Sequence, residues 1–190
     1  MKKTCVFIIG TNGSGKSSVA RCLQRKFGGI AGTSELLTLC NDPRVCFAGK
    51  YAPDGSYGGV DSLNNTRSLR GIVAEALKTH DVIFCEGSYL DTFGVNTTTA
   101  IMQAERQLIV LLVASPAILG KRLAERSKRK EKQNKVVKTT ILNKQRRCIN
   151  VACKYQQAYC PVMAFPTDKV PSENIADKII DWLMLSDERL

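Results

Sequence analysis

Residues Val6-Phe-Ile-Ile-Gly10-Thr-Asn-Gly-Ser-Gly15-Lys16-Ser17-Ser18 leave the chain few choices of fold. An apolar run suited to a buried strand enters a Gly-x-x-x-x-Gly-Lys-Ser turn, and a helical pattern from Val19 to Phe27 follows. Glycines in such a turn let main-chain N–H groups curl around an anion with no side chain in the way. The N-terminus of the new helix adds partial positive charge. Strand, glycine-rich turn and helix in that order predict a phosphate-binding P-loop. Its cradle would be Thr11, Asn12, Gly13, Ser14, Gly15, Lys16, Ser17 and Ser18. Lys16 would reach the β- and γ-phosphates of ATP, and Ser17 would offer its hydroxyl to Mg²⁺.

The rest of the chain alternates in kind. Strands are expected over 4–9, 44–48, 82–85, 107–113 and, shorter, 162–165. Helices are expected over 16–27, 34–40 (short), 65–79 and 97–104; Ser115-Pro116 starts the next, a helical pattern runs from 119 to about 159 interrupted by the basic run at 126–135, and a last helix opens at Pro171-Ser172-Glu173. Strands alternating with helices imply an α/β fold with a five-stranded parallel sheet covered on both faces, three layers in all. Ligands of such sheets bind beyond the carboxyl ends of the strands. That rule gathers the P-loop, the glycine-rich loop after residue 48 and Glu86 at one rim. No repeat or linker divides the chain, so a single domain over 1–190 is expected.

Composition bounds the setting. With 44% apolar residues, 190 residues can bury a good core. No apolar run approaches the ~20 residues that span a bilayer. The N-terminus superficially suggests a signal peptide, but its apolar stretch is short and runs into the glycine turn. A soluble, cytoplasmic protein is the expectation. The eight cysteines form no C-x-x-C pair and are accompanied by one histidine, His80, so neither zinc nor a disulfide scaffold is expected. Free thiols acting as small core residues fit better.

The net charge of +11 has a location. Residues 121–154 carry thirteen Lys and Arg against two acids, Glu125 and Glu131, while the remainder is balanced at fifteen each. A solvated helix usually mixes its signs, and this segment does not. A helical lid at about 121–159 that also meets a polyanion is the expectation.

Phosphoryl transfer needs positioned phosphates, a metal, charge neutralisation and a group that handles the acceptor. The P-loop would supply the first two. Arg122 and Arg126, four apart on one helical face, are candidates for the third. Glu86, at the end of an apolar strand and followed by glycine, is the leading candidate for the fourth, either as base or as a holder of Mg²⁺. Asp61 in Gly58-Gly-Val-Asp-Ser is a second candidate base or orienting group; a cap for the following helix is its structural alternative. Arg67, Arg70, Asp54 and Asp91 have weaker claims. Tyr51, Tyr57 and Tyr89 near the rim are candidates to stack an unpaired or flipped base.

With Gly10 to Ser17, a strand followed by helical Arg122-x-x-x-Arg126, and a basic lid, the chain resembles the small P-loop kinases, among them nucleoside monophosphate, shikimate-type and polynucleotide kinases. The resemblance implies that Arg126 is a lid arginine touching the transferring phosphoryl group and that Arg122 lies near the adenine or the phosphates. A dedicated nucleotide-acceptor domain with an Asp-Arg type signature is missing. The Gly49-Lys50-Tyr51 strand end with its Gly-Gly-x-Asp continuation is more similar to bacteriophage kinases that phosphorylate 5-hydroxymethyluracil within DNA. That resemblance implies DNA modification as the process, a hydroxyl acceptor, and the host cytoplasm as the location if the chain is viral. Two alternatives stand beside it: a kinase for a free nucleotide or small metabolite, and a nucleic-acid-binding regulator that uses ATP as a switch.

Overall fold

The computed structural model describes residues 2–51, 58–63, 69–129 and 138–184, the side chains of 126–129 and 138–139 excepted. Its centre is β1 (Thr4–Gly10), every residue of which is buried. A strand covered on both faces has no reason to alternate, which is why Cys5 to Ile9 reads as one apolar run. Cys5, Phe7 and Ile9 point to one face, and Val6 and Ile8 to the other.

Three strands follow in the first third: β2 (Ile30–Thr33), β3 (Leu37–Cys40) and β4 (Val45–Ala48). Further on come β5 (Val82–Glu86), β6 (Arg106–Val113) and β7 (Val162–Pro166). The sheet order is β2-β3-β4-β5-β1-β6-β7. From β4 to β7 all pairs are parallel, whereas β2–β3 and β3–β4 are antiparallel.

Helices α1 (Lys16–Lys26) and α6 (Ser172–Met184) cover one face. The other face is covered by α2 (Leu69–Thr79), α3 (Val95–Ile101) and α5 (Lys138–Gln157). Helix α4 (Pro116–Arg129) meets α5 through Leu119 and Ile141, packed with Ala114 just past the end of β6.

Seven strands replace the expected five. The five parallel strands form where periodicity placed them; of the two additions, β3 comes from the stretch read as a short helix at 34–40 and β2 from the residues just before it. Its Ser-Glu-Leu-Leu start favours a helix locally, yet β4 would otherwise present an open edge. Thr38 and Cys40 are buried while Leu39 faces solvent, the period-two pattern of a strand covered on one face. The Thr38 hydroxyl donates to the Gly49 carbonyl at 2.9 Å, tying β3 to the exit of β4. The expected helix at 97–104 is shorter and begins earlier, at Val95. The helical pattern interrupted at the basic run forms as two helices, α4 and α5; residues 130–137, the middle of the expected lid, lie outside the described residues. No described helix is long and apolar enough to cross a membrane.

The core beneath α1 is aromatic. Phe84 stacks on Phe47 at 4.8 Å between ring centroids and meets Phe27 at 5.9 Å. Both Phe47 and Phe84 are fully buried, and Phe84 lies on the strand that ends in Glu86. Phe84→Ala is expected to cost about 3–5 kcal/mol. Urea midpoints at constant slope measure it.

Candidate active site

The first intrahelical bond of α1 runs from Val19 N–H to the Gly15 carbonyl, 3.0 Å. The N–H groups of Lys16, Ser17 and Ser18 precede it and have no helical acceptor of their own. Gly15 sits at the cap with φ 93°, a left-handed conformation that turns the chain into the helix without a Cβ penalty. The first turn holds no acid, and Arg25 and Lys26 occupy the last turn. The helix therefore presents an unopposed positive end to whatever fills the loop.

Lys16 is 8% exposed, its stem packed into the turn. Its ammonium donates to the Gly10 carbonyl at 2.8 Å and to the Thr11 carbonyl at 3.4 Å. The charge thus lies across the mouth of the loop, with donor capacity left over.

Glu86 arrives from the next strand. It ends β5 level with Ile8 of β1, and only 2% of it is exposed. The Ser17 hydroxyl donates to its Oε1 at 3.1 Å. Burial raises its pKa above the ordinary glutamate value; the nearby Lys16 ammonium and the Ser17 hydroxyl oppose that shift only in part. One hydroxyl and one carboxylate oxygen 3.1 Å apart, beside a lysine, are an oxygen pair suited to a hard divalent cation such as Mg²⁺ that keeps most of its waters. No cluster of three or more His, Cys, Asp or Glu suited to a metal occurs among the described residues, so a resident metal would depend on the bound phosphates for further ligands.

The wall opposite is the 3-10 turn Gly59–Ser62. Gly59 has φ 62°, and a Cβ there would lie 2.0 Å from the Glu86 carbonyl oxygen. Only glycine permits that approach. Asp61 stands in the same wall. Its Oδ2 accepts from the Ser88 N–H and hydroxyl, both at 2.9 Å, and its Oδ1 from the Tyr89 N–H at 3.2 Å. The carboxylate thereby ties the loop after β4 to the 3-10 turn Ser88–Asp91 after β5.

At the other end Arg122, on α4, donates to the Gly13 carbonyl at 3.1 Å, to the Thr167 hydroxyl at 3.1 Å and to the Thr167 carbonyl at 2.8 Å. It was expected near the adenine or the phosphates; it lines the cavity, and its planar fork braces the P-loop against the loop after β7. The Arg126 side chain lies outside the described residues, as do Asp54, Tyr57 and Arg67.

Together these groups enclose a cavity of about 520 Å³. Gly58, Asp61, Ser62 and Glu86 line one end, the P-loop the floor, and Arg122, Thr167 and Ser172 the other end. Thr167 and Ser172 escaped the sequence reading. The signal was their place after a strand, the same rule that found Glu86, but β7 is short and no motif marks its exit.

One expectation fails here, and a second is narrowed. Tyr51 is no stacking platform: it is 3% exposed, edge-on to Phe47 at 5.6 Å, and burial drives its phenol well above the ordinary pKa. The Tyr89 ring packs against the core and its hydroxyl accepts from Asn96 at 3.4 Å, so it is only partly available. His80 precedes β5, at the end of the sheet away from the P-loop, and pairs with Thr79 and Ala76.

No protein-family model matches the chain, and no curated protein matches it by sequence. Solved structures share its backbone. The YorR protein from Bacillus subtilis, solved in complex with phosphorylated GDP, has a TM-score of 0.60 at 15% identity, over 98% of this chain and 99% of that one. A sugar kinase from Janibacter sp. HTCC2649, solved without ligand, has a TM-score of 0.54 at 12% identity, over 96% of this chain and 95% of that one. At such identities the likeness is one of fold.

The buried carboxylate makes a prediction about stability. Below the ordinary glutamate pKa, Glu86 is protonated in folded and unfolded chains alike. As pH rises past that value the unfolded chain ionises first, so stability falls until Glu86 ionises in the folded protein too. Glu86→Gln keeps an acceptor for Ser17 and removes the charge. It is expected to raise the thermal midpoint of the ligand-free protein near neutral pH and to flatten its decline above pH ~5. Calorimetric melting of both proteins between pH 4 and 8 measures the difference.

Proposed function

We propose that the chain is an ATP-dependent, Mg²⁺-requiring phosphotransferase that moves the γ-phosphoryl group of ATP to a hydroxyl, and that the hydroxyl is carried by a modified base, 5-hydroxymethyluracil, within DNA. The observation that carries the first half is the Ser17–Glu86 pair beside Lys16, at the point where the P-loop floor meets the wall built by Gly58 to Ser62. A donor site and an acceptor wall meet at one buried carboxylate.

In this reading the N–H groups opening α1 and the Lys16 ammonium hold the β- and γ-phosphates, and the Arg122 end of the cavity takes the nucleoside. Ser17, with the phosphates, would hold Mg²⁺, which when bound neutralises charge on the β- and γ-phosphate oxygens. The acceptor oxygen forms a bond to the γ-phosphorus while the bond to the bridging β–γ oxygen breaks, and ADP leaves with those electrons. The acceptor's proton passes to Glu86, whose raised pKa suits it to take one near neutral pH. Arg126 is assigned to the transferring phosphoryl group. Asp61 is assigned to positioning, since both its oxygens already accept hydrogen bonds.

DNA as the carrier of the acceptor draws on the basic excess at 121–154, a surface a polymer rewards through counterion release. A second reading, a free nucleotide or small metabolite as acceptor, has its own support. One structure of the same fold was solved with phosphorylated GDP and another is a sugar kinase.

Transfer of label from γ-labelled ATP to hydroxymethyluracil-containing DNA, ordinary DNA and free nucleotides separates the readings. Label is expected in the modified DNA and to fall steeply between 50 and 200 mM salt, roughly a thousandfold or more if six phosphates are contacted. Label in free nucleotides alone overturns the DNA acceptor, and hydrolysis without any labelled product overturns the kinase. Lys16→Ala should abolish transfer. Glu86→Gln should also abolish it while ATP binding persists; recovery at high Mg²⁺ would make Glu86 a metal holder instead of the base.

A further inference from the structure

A second cavity, of about 490 Å³, lies outside the P-loop site, between α5 and residues 91–93. Helix α5 contributes Asn143, Arg146, Arg147, Asn150 and Lys154 to it. These positions recur at helical spacing, so they form one stripe with a reach of about 16 Å along the axis. The sequence of α5 contains no acid. Directly opposite stands Asp91, and its charge is already used: Arg147 Nη2 approaches the carboxylate at 3.5 Å while Nε donates to the Asp91 carbonyl at 3.0 Å. Arg146 and Lys154 remain exposed, with no carboxylate partner among the described residues.

The cavity also holds an aromatic face. Phe93 is 37% exposed, its ring set steeply across that of the buried Tyr155 with 4.9 Å between centroids. The Lys154 ammonium stands over the Phe93 ring, 5.8 Å from its centroid, so a base stacking on that face would displace it toward the strand's phosphates. A fixed ring beside cations, in an open groove, is the arrangement that takes a base on its face and a phosphate at its edge. The length of the stripe exceeds one phosphate.

The groove adjoins the P-loop cavity through a single turn. Ser88 and Tyr89 of that turn are held by Asp61, which lines the P-loop cavity, and Asp91 at its end is held by Arg147. A strand lying on α5 would therefore pass the acceptor wall within one short turn of Glu86.

We infer that the groove between α5 and Phe93 is a track for single-stranded nucleic acid, with Arg146 and Lys154 on the phosphates and Phe93 stacking a base. The inference rests on the reading of a nucleic-acid acceptor and places the strand beside it. Recognition here is of backbone and of any base face, so it carries no sequence preference.

The test is binding, kept apart from turnover. Fluorescence anisotropy of a labelled sixteen-residue oligothymidylate is followed against the full-length protein and its Arg146→Ala/Lys154→Ala variant over a salt series. The variant should lose at least about tenfold in affinity, and its log–log salt slope should fall by about 1.4, at about 0.7 per phosphate contact on a single strand. Phe93→Leu, which keeps apolar packing on Tyr155, should weaken the oligothymidylate at least about fivefold and leave an abasic strand of the same length unchanged. Unchanged affinity and slope in the double variant overturn the track. Equal competition by a polyaspartate peptide overturns it in favour of an acidic protein, and equal competition by thymidine monophosphate in favour of a single nucleotide. Calorimetric titration with ATP in each variant reports the donor site separately. Failure of label transfer with intact strand binding would sink the proposed reaction and leave the track standing.

Discussion

The bond from the Ser17 hydroxyl to Glu86 joins two neighbouring strands at their carboxyl ends, and the site depends on it. It requires β1 and β5 to be adjacent and parallel in the register that sets Ile8 beside Glu86. It also requires a carboxylate to stay buried, which burial alone would penalise. The Lys16 ammonium and the Ser17 hydroxyl offset part of that penalty, and the rest remains as a raised pKa. A polar group so placed is costly to the fold and useful to chemistry, a combination that marks functional sites.

Around that bond the molecule divides its labour. The P-loop and α1 offer unpaired N–H groups and positive charge, which any polyphosphate would satisfy. Arg122 fixes the loop from outside by bridging Gly13 to Thr167. On the opposite side, the close approach of Gly59 to Glu86 and the Asp61 links to Ser88 and Tyr89 merge two loops into one wall. Arg147 carries the connection on to α5. P-loop floor, opposite wall and basic helix are thus mechanically continuous, although they come from distant parts of the chain.

Much of this was legible beforehand, and the failures share a cause. Glu86 could be found because an apolar strand ending in an acid is a local pattern. Asp61 was read as a base or orienting group, and its bonds to Ser88 and Tyr89 were not legible because those residues lie far along the chain. Tyr51 follows a strand and looked exposed for the same reason that Glu86 looked functional. Its burial, with the ring set across Phe47, is a matter of packing that a residue following a strand does not announce. The stretch at 34–40 carried a helical start and a strand-like end, and the open edge of β4 decided in favour of the strand.

The sequence by itself determined the phosphate loop, the parallel core from β4 to β7 and the place of the basic excess, because each is written in neighbouring residues: glycine spacing, apolar period and charge runs. Only the tertiary structure decided what stands opposite the loop. The pairing of Ser17 with Glu86, the anchoring of Asp61, the brace at Arg122 and the groove between α5 and Phe93 all join residues separated by dozens of positions. Their partners are fixed by sheet order and helix packing, and those long-range contacts leave no local mark in the chain.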